Sequence, residues 1–147
     1  MSKGCRTIYK TSRERAGLTQ EAAVELLPIE LSQLSRYESN KAVPADDIVS
    51  EMMDAYCDEY LGYLHLLNSK VGQKILPRGV GRCSILEAVV KTALAVKEYT
   101  KEIDHMMKAA IDGEISDDEL KQWLDSKDEL KEVVKGYLQI EFADGEI

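Results

Sequence analysis

Residues 13–44 read RERAGLTQEAAVELLPIELSQLSRYESNKAVP, and the rest of the chain is best read outward from them. Gly17 closes one short helical run, and Thr19 is placed to cap the next, with Gln20 and Glu21 in its first turn. Ala23, Val24 and Leu27 then share a helical face. Pro28 cannot continue an ordinary helix, so the chain should turn near residues 27–29. In the run that follows, Ile29, Leu34 and Tyr37 point inward, leaving Leu31, Ser32, Gln33, Ser35 and Arg36 outward. The expectation is two short helices joined by a tight turn, the second with an exposed polar face.

The phrases AGLTQEAAVELL, IELSQLSRYE and SNKAVP resemble the Cro/CI repressor-type (XRE family) helix-turn-helix over about residues 7–67. Pro28, Val24 and Glu30 depart from the family's common choices at the turn, the packed second helix and the cap of the recognition helix. The resemblance implies double-stranded DNA as partner, with the third helix in the major groove. Carried onto this chain, the base-reading positions are Leu31, Ser32, Gln33 and Arg36, with Glu30 at the rim. Gln33 would pair with adenine, Arg36 with guanine, and Leu31 would meet a thymine methyl. Gln20, Ser35, Asn40 and Lys41 match backbone-contacting positions, and Arg13 with Glu38 match an internal salt bridge.

Working outward, residues 6–16 should form a first helix, with Ile8 and Tyr9 packing inward. Pro44 suits the first turn of a fourth helix, on which Ile48, Val49, Met52, Met53 and Tyr56 make the apolar stripe. A fifth, over about 58–67, is dense in Tyr60, Leu61, Tyr63, Leu64 and Leu67. Residues 68–83, with three glycines, a proline and four bases, read as a linker. Ser84 to Glu87 is a capping-box pattern opening a long helix with Leu86, Val89/Val90, Ala93, Val96, Ile103, Met106/Met107 and Ala110 at three- and four-residue steps, ending at Gly113. A second capping box, Ser116 to Glu119, opens a helix carrying Leu120, Trp123/Leu124, Leu130, Val134 and Tyr137/Leu138. The reading is therefore all-α: a five-helix repressor-like helix-turn-helix domain (1–67), a linker (68–83) and a C-terminal antiparallel helical hairpin (84–147). The hairpin's stripes could bury each other, the fifth helix or a second subunit, and assembly into a homodimer, or capture of a protein partner, is the role expected of it.

Charge is divided along the chain. The net charge is −8, yet residues 1–45 carry seven bases against five acids and residues 104–147 five against thirteen. A basic front and acidic back turn the front towards a polyanion. Cys5, Cys57 and Cys83 have no paired spacing, and His65 and His105 have no second ligand nearby in sequence, so free thiols and no metal are expected. RGVGR at 78–82 lacks the Gly-Lys-Ser/Thr ending of a phosphate loop, and the Asp112-Gly113-Glu114 stretch lacks the earlier ligands of a calcium loop. No nucleophile–base pair is visible, so neither cofactor nor catalysis is expected. No apolar run approaches the roughly 20 residues of a membrane span, and the N-terminus has no signal-peptide core, so the expectation is a cytoplasmic protein. A regulator that binds DNA is the leading reading. A helix-turn-helix that serves protein contacts alone is the alternative.

Overall fold

The computed structural model describes residues 7–111 and 113–144, which fall into two compact units meeting at residues 76–77. Lys3, Cys5, Arg6 and Asp112, used in the readings above, lie outside the described residues. The described chain is helical, and its only strand-like pairing is an isolated bridge between Ser84 and Asp144.

The first unit contains α1 (Ile8–Arg15), α2 (Gln20–Val24), α3 (Leu31–Glu38), α4 (Asp46–Tyr56), α5 (Glu59–Asn68) and the single turn α6 (Gly72–Ile75). Side-chain acceptors start the helices: Thr7 Oγ1 takes the Lys10 N–H, Thr19 Oγ1 takes Ala22 N–H and Asp58 Oδ1 takes Leu61 N–H. Left-handed residues stop three of them. At Gly17, Asn40 and Cys57 the backbone turns to positive φ, and the next N–H reaches back five residues: Leu18 to Arg13, Lys41 to Arg36, Asp58 to Met53. Such closure satisfies the last carbonyls of a helix. Gly17 was legible as a stop; Cys57, a side chain with a Cβ in the left-handed region, was not.

Tyr9, Ala23, Leu27, Ile29, Leu34, Val49, Met52, Tyr56 and Leu61 form one core. Ile29, Leu34 and Tyr37 face it while Leu31, Ser32, Gln33, Ser35 and Arg36 face out, as the periodicity requires. Two boundaries differ from the reading. Pro44 is buried just ahead of the α4 cap, Ala45, rather than inside the first turn. The stretch at 68–83 begins with the end of α5 and then α6, where a Cβ on Gly72 would lie 1.9 Å from the Leu66 carbonyl oxygen. That close approach needs a glycine.

The second unit is a hairpin of α7 (Ile85–Ala109) and α8 (Asp117–Glu141). Its open end is pinned by Asp144 N–H donating to the Cys83 carbonyl at 2.9 Å and by an Arg82–Asp144 ion pair at 3.5 Å. A Cβ on Gly136 would sit 3.0 Å from Thr92 Cα, and Glu102 Oε2 lies 3.4 Å from Ser126 Oγ. An equal step forward on α7 and back on α8 relates the two pairs, so the helices are antiparallel. α7 stops at Ala109, with Ala110 as its cap, and Gly113 takes its positive φ in the loop beyond rather than as the cap expected from the sequence.

The seam takes only part of the apolar stripes, Met106 and Trp123 among them, and adds small and polar residues. On α7 the covered row is Ala88, Thr92, Ala95, Tyr99, Glu102, Met106 and Ala109, at alternating four- and three-residue steps. On α8 it is Glu119, Trp123, Ser126, Glu129, Val133 and Gly136. Alanine, serine and glycine let the two backbones approach closely, and Ser126 returns its hydroxyl hydrogen to the Gln122 carbonyl at 2.9 Å. Of the apolar stripes, Leu86, Val89, Val90, Val96, Ile103, Met107, Leu120, Leu124, Leu130, Val134 and Tyr137 are exposed.

A candidate DNA-binding surface

The geometry of the outward face is set by a buried ion pair beneath it. Arg13 Nε donates to Glu38 Oε1 at 2.6 Å and Nη2 to Oε2 at 2.8 Å, while Nη1 donates to the Leu18 carbonyl. Both side chains are nearly inaccessible, at 7% and 3%. The Glu38 carboxylate, hydrogen-bonded to the guanidinium, holds Arg13 protonated above its ordinary range. Gln20 Nε2 donates to the same carboxylate at 2.8 Å. One carboxylate therefore ties the end of α3 to α1 and to the start of α2, which fixes α3 against both. A planar fork against a carboxylate is more directional than a point charge.

On this base α3 presents Leu31, 41% exposed, with Ser32, Gln33, Ser35 and Arg36 beside it. Glu30 opens the helix through a capping box in which its N–H donates to Gln33 Oε1 at 3.0 Å. Arg36 and Lys41 make no ion pair with another described residue and are both exposed. The left-handed turn at Asn40 sends the Lys41 N–H back to the Arg36 carbonyl at 2.9 Å, which places Lys41 beside the end of α3. The face is not uniformly cationic. Glu30 is exposed on it, and Glu21, at the front of α2, is held below the usual carboxylate range by its own backbone N–H and the Thr19 hydroxyl.

The structure thus brings Leu31, Ser32, Gln33, Ser35, Arg36, Asn40 and Lys41 to one side of the first unit, with Gln20 half-buried at its edge and Arg13 and Glu38 beneath. Two positions have partners absent from the sequence reading: Gln33 caps its own helix and Gln20 braces Glu38. A polar chain elsewhere was also missed. Tyr9 Oη lies 2.9 Å from His65 Nδ1, and His65 Nε2 lies 3.0 Å from Asp46 Oδ1, linking α1, α5 and the start of α4. The network assigns the tautomer in which Tyr9 donates to Nδ1 and Nε2–H donates to Asp46. The half-open cavity beside it, about 390 Å³, is lined mainly by Leu66, Val71, Ile75 and Leu76 with His65 and Asp46 at its polar edge. Residues so far apart in sequence carry no local signal of such a chain. No group of three or more His, Cys, Asp or Glu among the described residues is arranged to hold a metal ion, and Cys57 and Cys83 are free thiols. No helix among the described residues is long and apolar enough to cross a membrane.

Residues 10–57 match a family described as a helix-turn-helix domain. The match runs from inside α1 to the left-handed cap of α4 and includes the whole outward face of α3. No curated protein and no solved structure matches the chain. Residues 10–57 are a helix-turn-helix domain, consistent with the Cro/CI repressor type, and the described residues are mostly helical, with a further helical region following in sequence.

Proposed function

We propose that this protein is a sequence-specific DNA-binding transcriptional regulator that acts in the cytoplasm as a homodimer on two major-groove half-sites. The observation that carries the reading is the α3 face: Ser32, Gln33 and Arg36 turned outward on a helix locked from below by the Arg13–Glu38 pair, inside the matched domain. Arg36 pairs bidentately with a guanine, Leu31 packs on a thymine methyl, and Gln33 reads an adenine once its oxygen leaves the cap. An amide nitrogen carries two hydrogens, so Gln20 keeps one on Glu38 and offers the other to a phosphate. Ser35, Asn40 and Lys41 hold the backbone and set the register. Glu21 and Glu30 oppose the phosphates, so a single domain binds weakly and two copies are needed for affinity.

Retention of random-sequence duplex DNA at low and moderate salt tests this, with Arg36→Ala and Lys41→Ala alongside. Wild-type retention should fall steeply with salt. Arg36→Ala should lose about 10- to 100-fold in affinity for a selected site, and Lys41→Ala should weaken all sequences alike with a shallower salt slope. A folded wild-type protein that retains no duplex at low salt would transfer the α3 face, with its exposed Leu31, to a protein partner.

A further inference from the structure

The hairpin packs along a mixed seam and still carries many of its larger apolar side chains on the surface. Their placement is ordered. Val89, Val96 and Ile103 each follow a seam residue of α7 (Ala88, Ala95, Glu102), and Leu120 and Val134 each follow one of α8 (Glu119, Val133). One residue turns an α-helix by about 100°. Because the helices run in opposite directions, the same step on each brings both rows to the same side of the hairpin. The result is one predominantly apolar face, unbroken on α7 and interrupted by lysines on α8. The side of the hairpin that carries it, at 25 residues per helix, 1.5 Å per residue and about 10 Å per helix width, spans roughly 700 Å². That span is close to the ~800 Å² each partner gives to a standard stable interface.

We infer that this face is covered by the same face of a second copy of the chain, giving a four-helix bundle dimer. Charge selects the occupant. Residues 104–147 hold thirteen acids against five bases, so an anionic lipid surface or nucleic acid is repelled. On α7 the row and its flank (Leu86, Ala93, Thr100, Met107) contain no charge, and on α8 the charges on the row and its flank are Lys127 and Lys131 with Asp117 and Glu141 at the two ends. Asp125, Asp128 and Glu132 lie on other sides, so the middle of the face brings no acids of two hairpins into contact. A two-fold pairing needs a surface that complements itself, and an apolar face matched on both helices does so. This deepens the dimeric reading above and rests on it only for the claim that two copies act together; the contact itself involves no DNA.

The test is sedimentation equilibrium of the full chain without DNA, at micromolar concentration. Wild type should show twice the 16.5 kDa chain mass. Val96→Glu/Val134→Glu, at positions exposed in the single chain, should keep its helical circular dichroism and weaken dimerisation at least about 100-fold, since each interface would bury four unpaired carboxylates. If that variant loses helicity, Val96→Ser/Val134→Ser replaces it, with an expected weakening of about tenfold. Glu132→Lys, off the face, should leave the mass unchanged. A monomeric wild type at tens of micromolar, or a variant of the face that stays dimeric, overturns the inference. DNA retention is measured separately, so loss of recognition and loss of assembly are told apart.

Discussion

Replacing Arg13 by methionine isolates what holds α3 in place. The substitution keeps the length and apolar stem of the side chain and removes three hydrogen bonds, two to Glu38 and one to the Leu18 carbonyl. Breaking one partner of a buried pair costs about 3–5 kcal/mol, because the other charge is left without compensation. Gln20 still donates to Glu38 Oε2 and returns about 1 kcal/mol of that, leaving a net loss of about 2–4 kcal/mol. A domain of this size has on the order of 4–10 kcal/mol in all. With a urea slope of about 1.5 kcal/mol per M, the midpoint followed by far-UV circular dichroism should fall by roughly 2 M. Arg13→Met/Glu38→Leu removes both charges, and should recover most of the loss, to within about 1–2 kcal/mol of wild type. A single variant that loses less than about 1 kcal/mol, or a double variant no better than the single, would refute the claim that this carboxylate is the brace beneath α3.

Two further substitutions probe the packing. The Tyr56 hydroxyl is buried without a hydrogen-bond partner among the described residues, so Tyr56→Phe should leave the protein as stable or up to about 1–2 kcal/mol more so at neutral pH. Burial, with the Glu38 carboxylate adding to it and Arg13 opposing, pushes the Tyr56 phenol up to about 12 from 10.0. The folded state therefore keeps this proton after the unfolded chain has lost it. Its contribution is complete below pH 10 and drains away towards pH 12, a decline that urea titrations at stepped pH should find flattened in Tyr56→Phe. Gly136→Val places a Cβ 2.5 Å from Thr92 Oγ1 and 3.0 Å from its Cα, so α7 and α8 must separate and the hairpin's thermal midpoint should fall by several degrees despite the better helix propensity. An unchanged midpoint would mean that the seam tolerates a wider spacing than the small residues suggest.

Much of this protein was determined by its sequence alone, for reasons local to it. Thr19, Pro28 and Gly17 punctuate the chain through capping, the missing N–H and the left-handed region, and these act within a few residues whatever the tertiary context. Leu34 and Tyr37 against Ser32, Gln33 and Arg36 set the inward and outward faces of α3 by period alone. Other features needed the packed structure. Gln20 and Gln33 engage Glu38 and the α3 cap because folding brings those partners within hydrogen-bond reach, and the Tyr9–His65–Asp46 chain joins residues whose spacing carries no pattern. The hairpin is the clearest case. Its hydrophobic period announces two amphipathic helices but cannot say which face each turns to the other. Helix pairing rewards close backbone approach as well as apolar area, so Ala88, Ser126 and Gly136 lie in the seam beside Tyr99, Met106 and Trp123, while Val89, Val96, Leu120 and Val134 stay exposed.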